Sequence, residues 1–144
     1  MLKLSKKTEY GILAMQYLAE NHSGIKTAKE MAEELEISFE FLAKTLQHLK
    51  REGLVNTIQG MKGGYVLNVD PETTSLMSII SVLENHPEIV ECTDDDHNNC
   101  ERKDFCSIRH PMLILQKKID KIFNETFLSE FVRNKPVELN LKMN

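Results

Sequence analysis

The chain lacks any run of eighteen apolar residues, and its first twenty, MLKLSKKTEYGILAMQYLAE, interleave charged and apolar positions at helical spacing. Neither a membrane-spanning helix nor a secretory signal is therefore expected, and the cytoplasm is the expected compartment. Positive charge is also scarce: 18 Lys and Arg against 22 Asp and Glu leave a formal net charge of −4. That balance excludes indiscriminate attraction to nucleic acid but leaves room for a local DNA-binding face. Cysteine is limited to three residues with no C-x2-C pair among them. An odd count cannot close into disulfides within one chain, and the spacing is not that of a zinc knuckle. No nucleophile stands with a recognisable base, so a thiol redox enzyme is the function these residues support least. Internal repeats and low-complexity segments are absent as well.

What is present suffices for a folded domain: 144 residues, 41% of them hydrophobic, make one domain or one domain with an attached element. The acidity is uneven. Residues 1–70 hold nine Lys or Arg and nine Asp or Glu, whereas residues 71–144 hold nine against thirteen.

Tyr10, Leu13, Ala14, Tyr17 and Leu18 recur at helical spacing behind Ser5, a candidate N-cap. Thr27 with Glu30 three residues on forms a capping box for a short helix carrying Ala28, Met31, Ala32 and Leu35. After the turn EIS, Ser38 is placed to cap a third helix with Leu42, Leu46 and Leu49 on one face and Gly53 at its end. Two helices so joined predict a helix-turn-helix. Leu54–Ile58 and Tyr65–Val69, separated by Gly60, Gly63 and Gly64, predict a hairpin behind it, which is a wing. Leu76, Ile79, Ile80 and Leu83 predict a fourth helix. Pro111 opens a fifth helix, expected to reach about Val132, with Met112, Leu115, Ile119, Ile122, Phe123 and Phe127 close to a heptad seam. Such a face needs a partner, and the same helix of a second copy is the economical one.

The expected fold is thus mainly helical with a small β-hairpin wing. It divides into a winged helix-turn-helix domain (1–70), a linking helix (71–90), a cysteine loop (91–110), a dimerisation helix (111–132) and a flexible tail (133–144).

A recognition helix enters the major groove with its exposed face, and here that face carries Glu40, Ala43, Lys44, Gln47, His48 and Arg51, with Ser38 at its start. Lys44 and Arg51 suit phosphate or guanine, Gln47 suits adenine, and Glu40 could accept from cytosine. At the wing, Lys62 is placed for a phosphate or the minor groove, beside Gln59, Gly63 and Gly64. A homodimer would read a pseudo-palindromic double-stranded operator with half-sites about 34 Å apart.

The stretch ISFEFLAKTLQHLKREGLVNTIQGMKGGYVL, followed by a cysteine trio and a long C-terminal helix, resembles the Rrf-two family of bacterial winged-helix regulators over about residues 1–132. The resemblance implies a homodimeric transcription factor, expected to act as a repressor, holding an iron-sulfur cluster on Cys92, Cys100 and Cys106. It departs from the family where a wing arginine is common and this chain has Gln59, and where one branch has a recognition-helix glutamate and this chain has Ala43. The first cysteine gap is longer than usual, so [2Fe-2S] and [4Fe-4S] both stay open. One branch completes its site with a histidine at the place of Arg109, next to His110. Others use a carboxylate from the partner subunit, at the place of Glu9.

The segment CTDDDHNNCERKDFC, residues 92–106, has chemistry of its own. Thiolates are soft donors that iron in a cluster takes in preference to carboxylate oxygen. Three of them leave one coordination position for a weaker ligand, a point of attack for nitric oxide, oxygen or altered iron supply. Zinc completed by His97 or His110, a free-thiol redox switch, and a regulator answering to an organic ligand are the alternatives. Asp94, Asp95 and Asp96 are expected to keep the loop solvated, not to bind a hard cation.

Overall fold

The computed structural model describes residues 3–22, 24–93 and 100–133. Among these the order is α1 (Lys6–Glu20), α2 (Ala28–Leu35), α3 (Phe39–Arg51), β1 (Val55–Ile58), β2 (Gly64–Leu67), α4 (Leu76–Leu83) and α5 (Arg109–Glu125). Short 3-10 turns occupy Glu91–Thr93 and Leu128–Phe131. This is the expected mainly helical fold with a hairpin wing.

The caps follow the sequence closely. Ser5 Oγ accepts from the Thr8 N–H at 3.2 Å, while the Ser5 N–H donates to Glu84 Oε2 at 3.1 Å, tying the start of α1 to the end of α4. Thr27 and Glu30 exchange bonds of 3.1 and 2.8 Å, which satisfies two of the amides left over at the start of α2. Ser38 departs from expectation: it stands at the N-cap of α3, but its hydroxyl makes no capping bond. Its ψ is 125°, against 153–157° at the capping residues Ser5, Thr27 and Ser75, so its hydroxyl is not swung over the first turn.

The core lies where α1 to α4 meet. Ala14, Met15, Leu18, Met31, Leu42, Leu46, Leu49, Ile79 and Leu83 are all at 3% exposure or less. Because α1 is packed against α2, α3, α4 and the C-terminal turn, its buried face is wider than one stripe. Met15 and Ala19 join it, while Leu13, expected inside, is 37% exposed. At Gly11 an added Cβ would stand 2.3 Å from Leu83 Cδ1, so α1 and α4 approach too closely there for a side chain.

In the wing, β1 and β2 pair antiparallel from Val55↔Leu67 to Ile58↔Gly64. A third lane, not legible in the sequence, comes from Lys26, which exchanges bonds of 3.1 and 2.7 Å with Tyr65. A Cβ on Gly64 would lie 2.6 Å from the Lys26 carbonyl oxygen. The glycine is what allows this lane to form.

The C-terminal half departs from expectation at several points. The fifth helix begins at Arg109, with Pro111 third in its first turn where no amide is needed, and it ends at Glu125, short of Val132. Thr126 is extended, and the chain returns alongside residues 71–76: the Leu76 N–H donates to the Thr126 carbonyl at 2.7 Å and the Leu128 N–H to that of Thr74 at 2.9 Å. Phe127, expected on the dimer seam, instead pairs with Ser75, and Leu128 is 1% exposed in the core. Arg133, expected to begin a free tail, clamps Glu20 on α1. The rest of that tail, 134–144, lies outside the described residues.

One polar side chain is buried on α5. Gln116, 6% exposed, accepts from the Ile89 N–H at 3.0 Å and donates to the Pro87 carbonyl at 2.9 Å and Asp120 Oδ1 at 2.8 Å. It thereby pins to α5 the segment that leads into Cys92.

Candidate nucleic-acid interface

The face of α3 forms because Leu42, Leu46 and Leu49 are drawn into the core, which turns Glu40, Lys44, Gln47 and Arg51 to solvent. These four recur at helical spacing, and an α-helix presenting such a stripe fits the major groove. Glu40 in the first turn and Lys50 and Arg51 in the last complement the helix dipole. Among the described residues Arg51 pairs only with Glu52, at 3.7 Å with both well exposed, so little holds its guanidinium away from a phosphate. The Tyr10 and Phe41 rings meet edge to face at 5.3 Å and set α3 against α1.

His48 is not part of that open stripe. It is half-buried, facing Lys7 of α1 and the Val82 carbonyl of α4. Burial first, then Lys7 and Arg51, hold its pKa below the ordinary 6.5, so the ring is neutral at neutral pH. Around it a groove of about 410 Å3 is lined by Lys7, Phe41, Lys44, Thr45, Gln47, His48 and Arg51, with no carboxylate of the described residues in its wall. Lys7 was not anticipated. The available signal was the Lys6-Lys7 doublet in the first turn of α1, where a helix dipole disfavours cations.

At the wing tip Gln59, Gly60, Met61 and Lys62 are exposed, Met61 completely. Gly63 and Gly64 are half-buried, and each sits where a Cβ would collide with backbone, from Ile58 and Gly60 in one case and Lys26 in the other. Their small size therefore shapes the wing that carries Gln59 and Lys62.

The cysteines stand apart from this face in sequence and in chemistry. Cys92 is half-buried in the 3-10 turn, Cys100 is exposed, Cys106 is half-buried just before α5, and all three are free thiols. Among the described residues no three His, Cys, Asp or Glu side chains are gathered around a common point for a metal ion. Asp94, Asp95, Asp96 and His97 lie outside the described residues. Glu9 is on the first turn of α1 and its carboxylate is engaged by Lys6 Nζ. His110 is exposed as the second residue of α5, and beside it the Arg109 Nε is buried with no hydrogen-bond partner among the described residues. Three thiols with no disulfide among them are a donor set of the right softness and number for an iron-sulfur cluster.

Among the described residues no helix is long and apolar enough to cross a membrane. The Rrf2 family model, described as an iron-dependent transcriptional regulator, matches residues 4–134. NsrR, an HTH-type transcriptional regulator of Bacillus subtilis, is 30% identical over 135 residues, covering 93% of this chain and 92% of its own. The structure of CymR, the global cysteine regulator of B. subtilis, superposes with a TM-score of 0.77 at 28% identity, covering 94% of this chain and all of CymR. That of T. potens IscR gives 0.70 at 28% identity, covering 90% and 85%.

Proposed function

Since the chain belongs to the Rrf2 family of transcriptional regulators, we propose that it works as a homodimer that reads a pseudo-palindromic operator and senses redox state, nitric oxide or iron-sulfur status through Cys92, Cys100 and Cys106. The observation that carries the DNA half is the exposed stripe Glu40, Lys44, Gln47 and Arg51 on a helix held by a buried leucine face. Lys44 and Arg51 neutralise phosphate, Gln47 is suited to adenine, and Lys62 and Gln59 extend the contact from the wing. Ser38, its hydroxyl unused by the helix, is free to donate to a phosphate.

Dimerisation is supported by α5. Ile114, Leu115 and Ile122 are 44%, 44% and 62% exposed on one chain, an apolar surface that a second α5 would cover.

The three thiols would hold an iron-sulfur cluster, which when bound supplies a redox- and nitric-oxide-sensitive group. Glu9 of the other subunit and His110 compete as the fourth ligand. Glu9 would have to exchange Lys6 for iron, whereas His110 already lies exposed near Cys106. Ligation by the partner's carboxylate would couple the cluster directly to subunit geometry, which is the reason to prefer it.

A free-thiol switch is the second reading. It is favoured by the exposure of Cys100 and by the lack, among the described residues, of three side chains grouped so as to hold a metal ion. The visible spectrum of protein purified without oxygen from iron-replete cells separates the two. Bands between about 320 and 450 nm, lost in air or nitric oxide, support the cluster. A colourless protein whose DNA affinity follows thiol oxidation supports the switch. Comparing Glu9→Ala with His110→Ala by spectrum and decay in air identifies the fourth ligand.

A further inference from the structure

The groove at the junction of α1 and α3 gathers cations on a chain of net negative charge. Lys7, Lys44 and Arg51 converge on about 410 Å3 of open space, no carboxylate of the described residues lines it, and the chain as a whole carries −4. Lys7 is half-buried and, among the described residues, forms no ion pair, unlike its neighbour Lys6, which is satisfied by Glu9. Three cations held together repel one another unless an anion completes the set. The groove continues the exposed stripe of α3 through Lys44, Gln47 and Arg51, so the anion that fits is one presented by whatever α3 reads.

We infer that this groove seats a phosphate of the DNA backbone, with Lys7 as the cation contributed by α1, so that the first helix as well as the recognition helix fixes the register of the protein on the duplex. This rests on the DNA-reading face proposed above. His48 forms the inner wall and reports on occupancy. The groups facing it are Lys7 from α1, Arg51 and Glu52 from α3, and the Val82 carbonyl from α4. A seated phosphate adds a negative charge to a set in which two cations now oppose protonation of the ring.

The experiment uses the full chain and a mixed-sequence DNA duplex of about 30 base pairs, because backbone contacts do not require the operator, titrated from about 50 to 200 mM salt. Lys7→Ala is expected to weaken binding several-fold and to reduce the slope of log K against log salt by about 0.9 per bound copy, with Lys7→Arg restoring both. The His48 ring, followed by NMR, is expected to titrate at higher pH when DNA is bound in the parent, and to lose that shift in Lys7→Ala. If Lys7→Ala keeps the parental slope while Arg51→Ala does not, the phosphate seat is wrong and the α3 face survives. If Lys44→Ala and Arg51→Ala also keep it, or the parent does not bind at the lowest salt, the proposed face fails together with the seat.

Discussion

Arg133 closes a two-point ion pair on Glu20, 113 residues away in sequence: Nε reaches Oε1 at 3.0 Å and Nη2 reaches Oε2 at 2.8 Å. The Arg133 N–H adds a third bond to the same carboxylate at 2.9 Å, and the Phe131 carbonyl accepts from Gln16 Nε2 at 2.6 Å. The chain beyond α5 is thereby fastened to α1, the helix whose first turn carries Lys7 and Glu9. In the dimer proposed above, a change at α5 would reach α1 through this contact.

The pair makes that fastening pH-dependent. The Arg133 side chain, above all, holds the Glu20 carboxyl below its ordinary value of 4.5, against the opposing effect of burial. A depressed carboxylate stabilises the fold above the unfolded pKa, and the contribution is lost as pH falls through the folded pKa. Arg133→Ala is expected to lower Tm at pH 7 and to converge on the parent in acid, below the folded pKa. Equal Tm values at pH 7 would show that the clamp adds nothing.

Gln116 is expected to govern access to Cys92. Gln116→Leu leaves the Ile89 N–H and the Pro87 carbonyl without their partner, a loss of about 1–3 kcal/mol. Denaturant unfolding checks the magnitude. Faster amide exchange at Ile89 and faster alkylation of Cys92, with Cys100 unchanged, check the position.

Gly11→Ala sets two effects against each other. Alanine gains about 1 kcal/mol of helix propensity over glycine, but its Cβ would meet Leu83 Cδ1 at 2.3 Å in a fully packed region. Overpacking of that kind costs about 1–3 kcal/mol. The expected net is a modest loss, read as a lower denaturant midpoint with an unchanged m-value.

Glu36 ends α2 at φ 54°, a left-handed conformation, with its negative charge at the unfavourable end of the helix dipole. Glu36→Gly removes both penalties and is expected to stabilise by about 0.5–1 kcal/mol after the added chain entropy of glycine. A lower Tm for this variant would mean that the Glu36 side chain contributes more than its backbone costs.

Most of the winged unit was legible from local rules. Ser5, Thr27 and Glu30 make the caps their positions announce, Leu42, Leu46 and Leu49 are all buried, and the glycines between Ile58 and Tyr65 mark the hairpin. These outcomes depend on groups within a few residues of one another, whose geometry the backbone already sets. The exposed stripe of α3 follows from the same cause, since burying one face of the helix exposes the other.

Tertiary structure decided what depends on distant partners. Phe127, Leu128, Phe131 and Val132 continue a helical apolar period, and no glycine or proline interrupts it, so periodicity extends α5 to Val132. The helix stops at Glu125 because extending the chain lets Leu128 enter the core and lets Thr126 and Leu128 pair with Leu76 and Thr74. Lys7 and His48 illustrate the same limit. Each looks like a solvent-facing residue of its own helix, and only the packing of α1 and α4 against α3 brings the lysine to the groove and turns the imidazole into its wall. Sequence determines which faces must be buried, because hydrophobicity is a property of each residue. Which buried faces meet is decided by the whole chain, because contact energy belongs to pairs.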